Sequence, residues 1–419
     1  MSSSSEVIQA APSAGHAALG ARVLLLLSAV GSFTSPPLAN IAAALGLLAF
    51  FFTTAAASRL RAAATRPVGI GVLILLATMA LAMFWGDAPW DRRFAEWWSW
   101  RPLLLLLVAT TLFGSERSKD QFALALIVVL ALCAVASFLV LLLPNPVFID
   151  QPGVILRNHT TQGMALVVGV VLAAMLAWGR PVAPPRRLAL FAAIALFVAN
   201  LALVTTGRSS HLALLVAGAL SAFSLVKGRW RWWSAIGVFA VATAILASSS
   251  MVRDRFATAF EEIGTASTVT TETPIGSRIV IWKTSRDLIA RRPWFGYGMG
   301  SFASAYSQQI QEEPDVAWRA EVKDPQNQYL RLLVDAGIPG ALAFVAFVVG
   351  VLRQPAPGPY RGAALALFAA WLATSVFNSH FQTFAEAHLL ALVLGVLLAA
   401  DEPTQPRSSC AATAPATCS

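Results

Sequence analysis

Charge is scarce in this chain of 419 residues. Only 12% of them are charged and 57% are hydrophobic, whereas soluble domains carry roughly a quarter charged residues. That shortage excludes an ordinary water-facing surface and makes lipid the expected solvent. Cysteine is nearly absent as well. Of the three, Cys133 lies in an apolar run and Cys410 and Cys418 lie near the C-terminal end, so neither a disulfide framework nor a metal motif emerges. No acid or thiolate stands at ligand spacing from the histidines, and no metal or cofactor is expected. No Walker loop is present. Sustained period-two alternation is missing too, which argues against a membrane β-barrel. The net charge of +9 does not indicate nucleic acid, because the basic residues sit in short clusters between apolar runs.

What is present is a series of long Leu- and Ala-rich runs. Crossing ~30 Å of hydrocarbon takes about 20 apolar residues. Twelve runs are candidates: 18–34, 37–57, 68–85, 102–114, 121–143, 161–178, 188–205, 211–226, 232–250, 338–352, 361–378 and 388–399. The expected fold is an all-α polytopic membrane protein with about 12 transmembrane helices. The polar stretch Met1 to Gly20 is followed by no convincing cleavage site, so the first run reads as an anchor.

The Lys/Arg bias sets orientation. Arg59, Arg61 and Arg66 follow run two; Arg117 and Lys119 follow run four. Arg180, Arg186 and Arg187 follow run six, and Lys227, Arg229 and Arg231 follow run eight. Arg353 and Arg361 flank the loop after run ten. Even-numbered loops and both termini are therefore expected in the cytoplasm, with odd-numbered loops outside. Four segments result: runs one to nine in 1–250, an outer loop domain in 251–337, runs ten to twelve in 338–400, and a disordered cytoplasmic tail in 401–419. The outer domain holds ten Lys/Arg and eleven Asp/Glu. Helices are expected there over 276–292, 301–313 and 326–336, and a flexible Thr-rich loop over 265–273. Trp85, Trp90, Trp97, Trp98 and Trp100, and Trp230, Trp232 and Trp233, read as interfacial belts.

Chemistry is expected in the outward loops. Arg157 precedes Asn158 and His159 at the entry to run six. Arg208 sits in a very short turn, Thr205-Thr-Gly-Arg-Ser-Ser-His211. Arg278 opens Gly276-Ser-Arg-Ile-Val-Ile-Trp282. A guanidinium stays charged and matches phosphate oxygens with a planar fork. Several converging on one cleft would hold a diphosphate and stabilise it as a leaving group; singly, each is as well explained by interfacial snorkelling or an ion pair. Gln326 and Asn327 in Asp324-Pro-Gln-Asn-Gln-Tyr-Leu330 stand at a helix start, with Tyr329 facing into the span. Free N–H groups there favour an anion or hydroxyl, though an ordinary helix cap fits equally well. His380 in Asn378-Ser-His380, and Glu386 and His388 in Glu386-Ala-His388, offer a proton acceptor beside a carboxylate.

Together these residues resemble the O-antigen ligase family, which also holds O-antigen polymerases and protein O-oligosaccharyltransferases. The resemblance rests on the twelve-run layout with its outer loop between runs nine and ten, on Thr206-Gly-Arg208-Ser, and on Gly276-Ser-Arg278 with Trp282 and Pro293-Trp-Phe-Gly-Tyr-Gly-Met-Gly-Ser-Phe302. It rests also on Asp324 to Leu330 with Gly337-Ile-Pro-Gly340, and on Glu386-Ala-His388. It implies a GT-C-like glycosyltransferase of the bacterial inner membrane, metal-independent and inverting, with its active site in the periplasm. It would move a glycan from undecaprenyl diphosphate onto lipid A–core, completing lipopolysaccharide, and a monomer is expected. Arg208 and Arg278 would hold the diphosphate, with Arg157 beside them. The family places histidine, its favoured base, where this chain has Gln326. A neutral amide takes no proton, so His388 or His380 would have to serve if a base is needed. A polymerase or protein transferase shares the motifs. A transporter or flippase fits less well, because most run interiors lack ionisable groups.

Overall fold

The computed structural model describes residues 12–142, 151–250, 252–254, 257–258, 274–312 and 322–400. No strand occurs among them. The helices are α1 (Pro12–Thr34), α2 (Pro36–Phe51), α3 (Ala56–Ala64), α4 (Pro67–Leu81), α5 (Trp90–Trp98), α6 (Pro102–Leu112), α7 (Glu116–Leu141), α8 (His159–Gly179), α9 (Pro184–Leu203) and α10 (Arg208–Leu225). They continue with α11 (Trp230–Ser248), α12 (Pro274–Arg291), α13 (Phe302–Glu312), α14 (Gln328–Arg353), α15 (Gly358–Thr374) and α16 (Phe384–Leu397). The tail and the Thr-rich stretch 265–273 lie outside the described residues.

Local sequence explains where these helices start. Proline opens α2, α4 and α6, where its missing N–H would be unpaired anyway. Side-chain caps begin α7 (Ser115 accepting from Ser118 N), α8 (Asn158 from Thr161 N) and α14 (Asn327 from Tyr329 N and Leu330 N), satisfying first-turn donors.

Eleven of the twelve apolar runs fall on a single helix, and run 37–57 crosses the break between α2 and α3. Seven helices among the described residues are long and apolar enough to cross a membrane: α1, α7, α8, α9, α10, α11 and α14. An eighth counts if α2 and α3, bent by 110°, form one broken span. At 1.5 Å per residue, α6 with its 11 residues rises only about 16 Å. The expected helix over 326–336 and span over 338–352 are both present: α14 consists of two helices that meet in a kink at Gly337 (φ 61°, ψ −152°), before Pro339. That backbone region is open only to glycine. A Cβ on Gly337 would lie 2.5 Å from the Trp294 carbonyl oxygen.

Packing forms two cores. The large one gathers apolar faces of the bundle around α8, including Trp371, Phe347 and Phe197. Large residues such as Ile41, Phe51, Leu132 and Val241 are left exposed, as a lipid-facing surface requires. The small core joins α12, α13 and the start of α14 through Ile281, Leu288, Phe302, Tyr306, Ile310 and Val334.

Hydrogen bonds sort the loops into two ends. At one end Lys119 Nζ donates to Ala399 O (2.6 Å), Tyr360 OH to Asp120 (2.7 Å), and Arg180 pairs with Glu116 (2.7 Å). These residues belong to even-numbered loops or their margins. At the other end Trp85 Nε1 donates to Phe295 O (2.8 Å), the Asp87 N–H to Ser301 Oγ (3.1 Å), and Asn378 Nδ2 to Ser209 Oγ (2.7 Å). Those residues come from odd-numbered loops.

Candidate functional site

The loop 375–383, between α15 and α16, draws the candidate segments together. Asn378 Nδ2 donates to Ser209 Oγ, the neighbour of Arg208. Ser379 Oγ donates to Asp324 Oδ1 (2.8 Å). The Phe377 ring lies 6.1 Å from that of Trp282. Ser375 O accepts from the Gln328 N–H (2.9 Å), and Gln328 Oε1 accepts from the Phe381 N–H (3.1 Å). One loop is thus bonded to the arginine turn and to the 324–328 segment, and it touches α12.

Within that group Arg278 and Gln326 meet directly. Arg278 Nε donates to Gln326 Oε1 at 2.9 Å. One turn further along α12, Trp282 Nε1 donates to Pro325 O (3.1 Å). Gln326 adopts φ +52°, the left-handed region that costs a non-glycine residue about 1–2 kcal/mol. Asp324 helps hold it there, since Oδ1 accepts the Gln326 N–H at 2.6 Å. Asn327 is buried and occupied as the cap of α14. Tyr329 OH donates to Leu372 O (2.7 Å), so it faces into the bundle.

Arg157, His159, Glu386 and His388 form a neighbouring group. The Arg157 guanidinium lies 5.4 Å from the centre of the Phe384 ring, and Arg101 lies 5.6 Å from the same ring. His388 packs on Phe384 at 4.3 Å, and its Nδ1 is 2.7 Å from Phe384 O. A carbonyl only accepts, so Nδ1 carries the proton in the neutral ring and Nε2 keeps the lone pair. Glu386 is buried. Its Oε1 accepts from Thr161 Oγ1 (2.7 Å), while Oε2 has no hydrogen-bond partner among the described residues. His159 joins the two groups: a Cβ on Gly207 would stand 3.1 Å from its Cδ2.

His380 and His211 are placed differently. His380 is 1% exposed, and both ring nitrogens are without hydrogen bonds among the described residues. Burial pushes its imidazole down to about 4, against the pull of Asp324, so it is neutral at neutral pH. His211 is buried under the arginine turn, and its Nε2 donates to Leu201 O (3.0 Å). Among the described residues no group of three or more His, Cys, Asp or Glu side chains is set to hold a metal ion.

Several participants carried no sequence signal. Asp324 stands in a noted motif, but nothing there showed that it would bind Gln326, Ser379 and Arg331 at once. Arg101 and Phe384 lie 283 positions apart and meet only in the fold.

Comparison with known proteins adds one finding. Residues 193–345 match the family model Wzy_C, described as O-Antigen ligase. The match runs from α9 into α14. It contains Arg208, His211, Arg278, Trp282, Gln326, Asn327 and Tyr329, while Arg157, His159, His380, Glu386 and His388 lie outside it. No curated protein matches the chain.

Proposed function

We propose, from the match of residues 193–345 to the O-antigen ligase family model, that the chain transfers a glycan from a lipid-linked donor to a sugar hydroxyl. The family match supports a membrane glycosyltransferase of the ligase or polymerase type. Our more specific reading is ligation onto lipid A–core at the periplasmic face of the inner membrane, from an undecaprenyl-diphosphate donor. The alternating basic loops and the two hydrogen-bonded ends of the bundle support that orientation.

The observation carrying this reading is the loop 375–383, bonded at once to Ser209 beside Arg208 and to Asp324 beside Gln326. Arg208 and Arg278 bind the diphosphate, and Arg157 adds a third positive charge. As the bond between the anomeric carbon and the diphosphate oxygen breaks, negative charge grows on that oxygen. Fixed guanidinium groups stabilise it without reorganising. Gln326 orients Arg278 and takes no proton. The acceptor hydroxyl oxygen attacks the opposite face of the anomeric carbon, giving inversion, and its proton passes to His388 Nε2. Glu386 positions the first turn of α16, on which His388 stands. Trp282, Asn327 and Tyr329 shape the site, as do His159 and His211. His380, whose ring nitrogens make no hydrogen bond among the described residues, serves packing.

The test is reconstitution of the full chain in nanodiscs with undecaprenyl-diphosphate glycan and lipid A–core. Glycan on lipid A–core supports ligation. Elongated lipid-linked glycan without transfer to lipid A–core would show a polymerase. Movement of the donor across vesicles with no new glycosidic bond would overturn the transferase reading in favour of transport.

A further inference from the structure

A cavity of about 220 Å³ lies on the far side of Asp324 from Gln326. Its walls are α5, the segment entering α13, and the first turns of α14. Arg92, Glu96, Phe302, Lys323, Arg331 and Asp335 line it. It is smaller than the roughly 300–1,000 Å³ usual for drug-sized ligands and suits a group the size of a single sugar ring.

The lining is built in two tiers. Arg331 forms the floor and is 8% exposed. Its guanidinium pairs with Glu96 and Asp324, and its Nε stands 3.7 Å from Asp335 Oδ2. Three carboxylates around one arginine leave oxygen lone pairs unused by it. Arg92 and Lys323 stand at the rim, both exposed. Neither is in an ion pair among the described residues. Acceptors below suit sugar hydroxyls, cations above suit an anionic substituent, and the buried Phe302 ring adds an apolar wall.

We infer that this cavity binds an anionic sugar, phosphorylated or carboxylated, of the acceptor glycan. The inference rests on the transferase reading above and names the second substrate's seat. Asp324 links the two seats. One of its oxygens meets Arg331, and the other accepts from Gln326 N and Ser379 Oγ. An acceptor sugar in the cavity therefore bears on the residue that orients Arg278.

The test uses the full chain in nanodiscs, with glucose 6-phosphate as the anionic probe and glucose as its neutral control. Wild type should bind glucose 6-phosphate about tenfold more tightly than glucose. The double variant Arg92→Ser/Lys323→Gln, confined to exposed rim positions, should lose that preference. A transfer assay then compares phosphorylated lipid A–core with its phosphatase-treated form. In the variant, KM for the phosphorylated acceptor should rise about tenfold, with donor KM and kcat unchanged. Equal binding of the two sugars by wild type, or a preference untouched by the double variant, overturns the inference. If the preference holds but no transfer occurs with any acceptor, the transferase reading fails and the anionic-sugar site stands.

Discussion

Arg278 meets Gln326 through a single hydrogen bond, Nε to Oε1 at 2.9 Å. An amide at position 326 thus supports a guanidinium. An amide oxygen accepts whatever the pH, so Arg278 keeps its orientation across the physiological range.

Removing that support should slow the reaction without unfolding the protein. Gln326→Ala is expected to lower kcat about 10- to 100-fold, corresponding to the roughly 1.5–3 kcal/mol contributed by a hydrogen bond to a charged group. Histidine tolerates the left-handed backbone better than most residues. Gln326→His should therefore keep the fold and add a second ionisation to the acidic limb of the pH–rate profile. Identical profiles for wild type and Gln326→His would remove this position from the chemistry.

Arg208→Ala and Arg278→Ala should each lower kcat on the order of 10²–10³-fold, the usual loss when one donor to a developing oxyanion is removed. Lysine keeps the charge but not the planar fork. Arg278→Lys should fall between wild type and Arg278→Ala, and size-exclusion profiles should match wild type for all three. Full transfer by either alanine variant contradicts the assignment.

His388→Gln is expected to cost on the order of 10²–10⁴-fold in kcat, the range for a lost general base, with donor binding retained. His388→Gln at wild-type rate would show that the acceptor hydroxyl gives its proton elsewhere.

His380 bears on stability. Its folded value of about 4 lies below the ordinary 6.5, so between those values the unfolded chain binds the extra proton. Stability is then full above about pH 6.5 and falls as the pH drops toward 4, by on the order of 3 kcal/mol. Unfolding midpoints measured between pH 4 and 7 should decline with acid in wild type and decline less in His380→Gln. Parallel slopes would place the acid sensitivity elsewhere.

The sequence was informative where physics is local. Apolar run length located the helices of the bundle, and Asn327 after Pro325 marked the start of α14. The Gly276-Ser-Arg278 and Asp324 to Leu330 motifs were both noted, and the fold joins them through Arg278 and Gln326. Long-range partners were beyond reach. Glu96 and Arg331 are 235 positions apart, and nothing in a tryptophan-rich interfacial segment announces that one of its acids will pair with the first turn of α14. The bend at Gly337 was legible in part. Glycine followed by proline two positions on divides the helix over 326–336 from the span over 338–352, but the Trp294 backbone lying against Gly337, which sets the bend, gave no local signal.

That bend has a mechanical consequence. On one side of Gly337, α14 carries the Asn327 cap and Arg331; on the other it is wedged against α4 by close contacts such as that between Gly71 and Phe347. Because the Trp294 and Phe295 backbone fills the inside of the corner, it acts as a fixed elbow and not a swivel. The segment that holds Asp324 and Gln326 thus takes its bearing from the buried bundle, and a side chain grafted at Gly337 should misaim the whole outer assembly while leaving every proposed contact residue in place.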